Sequence, residues 1–168
     1  MWRDQPTYNK ANTLQKEQVR DISAFMKPDG TLAWDVPEGK WVVSRTGMLP
    51  TGVECGPAPK EGLGLETDKM SKEHIRTHFD NYLGKILERI PAEDRKTFRI
   101  VVEDSYETGG QNWTDRMIED FKKVYGYDPV PFIPVYNGVT VISPEVSDRF
   151  LWDVRRLIAD QIAYNYVG

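Results

Sequence analysis

Phe98-Arg99-Ile100-Val101-Val102-Glu103-Asp104-Ser105-Tyr106-Glu107 is the stretch on which the fold of this chain turns. Its first half, rich in strand-forming side chains, reads as a β-strand. The strand runs straight into Glu103, Asp104 and Glu107. In parallel α/β sheets, functional groups gather at the carboxyl ends of strands. Upstream, Ser71 reads as an N-cap, and Ile75, Phe79, Tyr82, Leu83, Ile86, Leu87 and Ile90 follow at helical spacing until Pro91. Downstream, Thr114 is placed to cap a second helix, with Met117, Ile118, Phe121 and Val124 on one face and Gly126 as its stop. Ser143-Pro144 opens a third, with Val146, Phe150, Leu151, Val154, Leu157, Ile158 and Ile162 inward. Leu63-Gly64-Leu65-Glu66 is a further short strand candidate. Strand and helix in this order predict an α/β architecture with parallel pairing.

Residues 1–62 read differently from residues 63–168. Pro28-Asp29-Gly30 separates Ile22–Met26 from Thr31–Trp34, a strand–turn–strand signal. Pro37-Glu38-Gly39 is a second turn, followed by Lys40-Trp41-Val42-Val43-Ser44-Arg45-Thr46, again strand-like. A small antiparallel β segment leaning on a larger body is expected, because two or three short strands bury too little alone. Residues 47–62, rich in Gly and Pro around Cys55, read as a linker or ordered loop.

The 168 residues suit one compact domain, or one with a small attachment, and fall short of the roughly 250 that a closed (β/α)8 barrel needs. Lys and Arg number 22 against 26 Asp and Glu. This mildly acidic balance, without a basic stripe, speaks against a nucleic-acid partner. No apolar run approaches the ~20 residues of a membrane span, and the start lacks the apolar core of a signal peptide. A single cysteine excludes an internal disulfide.

Crowded acids such as Glu103, Asp104 and Glu107 raise one another's pKa, so one can hold a proton at neutral pH. They can also share a hard cation such as calcium. Tyr106 and Trp113 offer aromatic faces, while Gln111 and Asn112 offer amides, an inventory suited to a sugar. The same residue types also populate solvated strand-to-helix loops. Glu66 and Asp68 form a second acidic strand end; two carboxyls on one rim are what glycoside hydrolysis needs. Taken by themselves, acids placed just before a helix are better explained by the helix dipole, which favours negative charge there. His74 and His78 stand four apart, a zinc-pair spacing, but no third ligand is evident. Cys55 has no nearby His, which argues against a nucleophile. Phe79, Tyr82, Phe150 and Trp152 are expected in the core.

One ordered set of motifs runs through the chain: Trp34-Asp35-Val36-Pro37-Glu38-Gly39-Lys40-Trp41, Pro50-Thr51-Gly52, Gly64-Leu65-Glu66-Thr67-Asp68-Lys69, Asp104-Ser105-Tyr106-Glu107, Gln111-Asn112-Trp113-Thr114 and Arg149-Phe150-Leu151-Trp152-Asp153. Together they resemble the α-L-rhamnosidases of glycoside hydrolase family 106, over roughly residues 15–168. The resemblance implies a fragment of a larger secreted or periplasmic enzyme. It implies a partial (β/α) TIM-type barrel over 63–168, with the small antiparallel β segment and linker of 1–62 on its N-terminal side. It further implies inverting hydrolysis of terminal α-L-rhamnosyl linkages with calcium assisting at the sugar. Glu107 would be a catalytic carboxylate, the general base, with Asp104 orienting it or touching the sugar. Tyr106, Gln111, Asn112 and Trp113 would line the sugar pocket, with Glu66 and Asp68 on the same rim. The partner acid would lie outside this chain. A non-catalytic carbohydrate-binding domain is the alternative. Open strand edges would favour self-association of the fragment.

Overall fold

The computed structural model describes residues 10–102 and 110–168. The strand end Glu103–Glu107, with Asp104, Tyr106 and Glu107, lies outside the described residues. The chain divides into two compact units, Met1–Thr46 with Arg116–Arg156, and Gly47–Asp115 with Leu157–Gly168.

The first unit is centred on two helices, α3 (Met117–Tyr125) and α4 (Pro144–Gln161), whose first three and a half turns belong to it. Gly126 ends α3 at φ 74°, the left-handed conformation that a residue without a Cβ adopts at no steric cost. At the start of α4 the Ser143 hydroxyl accepts from the Val146 amide at 3.2 Å, and Pro144 occupies the first turn, where a missing N–H costs nothing. The facing sides carry an aromatic core. Phe132 and Phe150 stack at 5.4 Å, Phe121 lies 5.8 Å from Phe150, and Tyr127 meets Phe121 edge-on at 4.9 Å. Phe121, Phe150, Met117 and Val141 are almost fully buried. A 3-10 run, Val130–Asn137, supplies Phe132 and Val135 to this core.

The second unit contains α1 (Lys72–Phe79), which passes through a π-helical stretch (Asp80–Gly84) into α2 (Lys85–Glu88). Ser71 caps α1 as expected, its hydroxyl accepting from the His74 amide at 3.3 Å. A 3-10 run over Ala92–Thr97 follows, and a terminal π-helical segment, Ile162–Val167, continues from α4.

The expected partial (β/α) TIM-type barrel and antiparallel β segment are not what forms. Among the described residues, β pairing is confined to three isolated bridges: Leu14 with Val141, Met26 with Leu32, and Glu54 with Leu65. The architecture is mainly helical, joined by irregular chain. Ile100 and Val102, the heart of the strand expected at Phe98–Val102, are 78% and 85% exposed and join no ladder. A strand is completed by hydrogen bonds to a neighbour, and local propensity supplies no neighbour. The Lys40–Thr46 strand fails in the same way, leaving Val42 95% exposed. The Pro28–Gly30 turn does form: Gly30 adopts φ 84°, Asp29 accepts from the Thr31 amide at 2.9 Å, and the Met26–Leu32 bridge closes it.

Two helical expectations are also corrected. Thr114 does not cap α3, whose N-cap is Arg116; its hydroxyl is drawn instead to Asp68. On the α1–α2 stretch, Phe79, Tyr82 and Ile86 are exposed rather than inward, and Trp152 on α4 is 62% exposed. Phe150 alone of the four aromatics expected in the core is buried there.

Candidate functional site

Glu66-Thr67-Asp68-Lys69, entering the α1 N-cap, forms the most densely bonded polar cluster described in the second unit. Two backbone bonds carry Glu66 to its place: Cys55 N–H donates to the Gly64 carbonyl at 3.0 Å and Glu66 N–H to the Val53 carbonyl at 2.9 Å. The Gly- and Pro-rich loop is therefore ordered at this end. Glu66 then accepts from the Lys69 ammonium on one carboxylate oxygen and from the Cys55 thiol, at 3.4 Å, on the other. The Lys69 and Glu66 side chains are only 9% and 20% exposed, and the ammonium lies 5.7 Å from the centre of the Tyr166 ring. Burial raises the Glu66 pKa, but the bonds from Lys69 and Cys55 outweigh it and hold the carboxyl below its usual range. Burial, reinforced by Glu66, pushes the Cys55 thiol up, so it stays protonated and a poor nucleophile.

Asp68 is the hub of the second half. One oxygen accepts from the Gln111 side-chain amide and from the Met70 backbone N–H, at 2.9 Å; the other accepts from the Thr114 hydroxyl at 2.7 Å. The Gln111 carbonyl oxygen in turn accepts from the Lys69 N–H at 3.2 Å. Thr114 and Met70 are buried, and the Asn165 amide donates to the Met70 carbonyl at 2.7 Å. The result is a clamp between residues more than 40 positions apart, closing where the chain leaves the Glu103–Gly110 stretch.

Of the residues expected to bind substrate, the structure brings together Glu66, Asp68 and Gln111. Their oxygen and amide groups face protein partners. Asn112 is exposed and Trp113 half-buried just beyond the clamp. Asp104, Tyr106 and Glu107 lie outside the described residues. Sequence reading missed Lys69 and Thr114; a lysine set among acids three residues after Glu66 was the available signal. His74 is an exposed side chain 3.5 Å from Asp115. Among the described residues, no three His, Cys, Asp or Glu side chains converge to hold a metal. Glu66 and Asp68, already bonded to protein donors, do not fit a calcium cage, which takes six to eight oxygen ligands.

The chain is similar to known proteins over most of its length. A protein of Formosa agariphila named "Putative beta-glucuronidase" is 39% identical over 153 residues, 91% of this chain and 13% of that protein. A solved rhamnosidase from Novosphingobium sp. PP1Y is similar over 90% of this chain and 15% of its own, with 33% identity and a TM-score of 0.76. The chain thus spans about one-seventh of the length of the relatives it matches. The family model described as alpha-L-rhamnosidase matches residues 2–168, and the chain belongs to that family, glycoside hydrolase family 106.

Proposed function

We propose that the longer protein of which this chain is part hydrolyses terminal α-L-rhamnosyl linkages by inversion. The observation that carries this reading is the structural likeness to a rhamnosidase over nine-tenths of the chain. In the proposal Glu107 is the general base that activates water on the face opposite the leaving group, and Asp104 orients it. The general acid comes from outside residues 1–168. Tyr106, Asn112 and Trp113 contact the sugar. Asp68 and Gln111 serve by clamping the chain beside the acidic stretch, and Glu66 with Lys69 by holding the turn that presents Asp68. Calcium, where used, belongs with the Glu103–Glu107 carboxylates, because Glu66 and Asp68 are engaged elsewhere. In the proposal the substrate is a rhamnose-bearing glycan and the protein works in the periplasm or outside the cell. Exposed apolar side chains such as Val42, Ile100 and Val102 give this chain, taken alone, a route to self-association.

The test uses the full-length protein with an aryl α-L-rhamnoside, and with an aryl β-glucuronide because of the name borne by the Formosa relative. Release from the rhamnoside, with β-rhamnose as the first anomer seen by NMR, is expected. Glu107→Gln should lower kcat by at least about a hundredfold. Glucuronide cleavage alone, or retention of configuration, overturns the reading. A non-catalytic carbohydrate-binding domain is the second reading, favoured by exposed aromatics; it predicts binding without turnover and no kinetic loss on Glu107→Gln.

A further inference from the structure

Trp152 breaks the pattern of α4. Its neighbours Phe150 and Val154 are buried against the aromatic core, while the indole is 62% exposed on the opposite face. An exposed tryptophan leaves a large apolar surface in water; a single such residue is ordinary, and what sets Trp152 apart is the set of polar groups around it. Helical spacing sets Asp148 and Arg149 one turn before it and Arg155 and Arg156 one turn after. Together with Tyr127 they line an open cleft of about 1100 Å³ within the first unit.

The charged groups in this cleft are of both signs, yet among the described residues Asp148, Arg149, Arg155 and Arg156 enter no ion pair. Planar carboxylates and guanidiniums that are not spent on each other offer paired acceptors and donors. Neighbouring hydroxyls of a sugar ring present the complementary pair, and the C–H face of a pyranose is the apolar surface an indole covers. Tyr127, which also lines the cleft, is tied to the core: its hydroxyl donates to Asp153 at 2.9 Å, and its ring packs on Phe121 and Phe132.

We propose that the Trp152 cleft is a saccharide-binding subsite, in the unit that does not contain the Asp68 clamp, with Trp152 as the stacking platform and Asp148, Arg149 and Arg156 as hydroxyl ligands. The choice of a sugar as occupant rests on the reading of the parent as a glycan-cleaving enzyme. The cleft's function is retention of the glycan chain rather than bond cleavage.

The experiment is titration of the ¹⁵N-labelled chain with L-rhamnose and separately with a rhamnose-containing oligosaccharide, following the indole N–H signals. Trp152→Phe assigns the Trp152 signal and Trp113→Phe the Trp113 signal. A saturable shift at Trp152 is expected. Arg149→Gln should weaken it about tenfold, while thermal unfolding stays unchanged because Arg149 is exposed. A Trp152 signal unmoved by either sugar overturns the inference, and so does an Arg149→Gln variant that binds equally well. A shift confined to Trp113 overturns the inference while favouring the proposed active-site region. A shift confined to Trp152 supports it and counts against the sugar contact assigned to Trp113.

Discussion

Lys69 shows how one side chain sets the chemistry of its surroundings. A nearly buried ammonium survives only with a partner, since removing one member of a buried pair strands the other charge. Glu66→Gln is therefore expected to destabilise the chain at neutral pH by about 1–3 kcal/mol, since it removes the carboxylate that accepts from the nearly buried Lys69 ammonium. The pH dependence has a definite sign. The Glu66 carboxyl is held low in the folded state, so its contribution is present above the ordinary carboxyl range and fades as pH falls through the lowered value. Urea unfolding at neutral pH and at about pH 3 should thus show a gap between wild type and Glu66→Gln that narrows in acid. Equal gaps at both pH values would show that the pair does not carry the difference. Sequence reading found Glu66, Asp68 and Gln111 as residues of interest. It did not find that Asp68 bonds to Gln111 and Thr114, because pairings across more than 40 positions leave no local trace; the Glu66–Lys69 pair, three positions apart, was within reach of the sequence and was passed over.

At the scale of elements, helix ends were legible and strands were not. Ser71, Gly126 and Ser143-Pro144 act on backbone groups within a turn of themselves, so their residue types suffice to locate an end. Thr114 was misassigned by the same logic: a hydroxyl fit to cap a helix also fits a carboxylate, and Asp68 is the stronger acceptor. The segment before α4 carries the clearest backbone strain. Ile142 sits at φ 66°, a region that a β-branched residue rarely enters. Its N–H donates to the Leu14 carbonyl at 2.7 Å while Leu14 N–H donates to the Thr140 carbonyl at 2.9 Å, and these bonds impose the conformation. Ile142→Gly should consequently be more stable than Ile142→Ala by roughly 1 kcal/mol, although glycine is ordinarily the worse choice. Chemical denaturation of the two variants measures this, and an alanine variant as stable as the glycine variant would refute the strain.

Over the whole molecule, the two units interleave along the sequence, so each is assembled from segments far apart in the chain. Val42, Ile100 and Val102 remain in water, extended apolar side chains without a ladder. Light scattering should find a mass above 19.4 kDa that rises with concentration; a constant monomer mass at every concentration would count against self-association. The residues alone determined the family, through an ordered set of motifs, and the helix termini, through short-range hydrogen bonding and backbone geometry. They also marked the Glu66–Asp68 turn and Gln111 as places of interest. Only the tertiary structure decided that Phe98–Val102 stays unpaired, that Asp68 clamps Gln111 and Thr114, and that Trp152 faces out while Phe150 faces in. The reason is physical: a helix satisfies its backbone bonds from its own neighbours, whereas a strand, the Asp68 clamp and an exposed aromatic are defined by groups the local sequence does not contain.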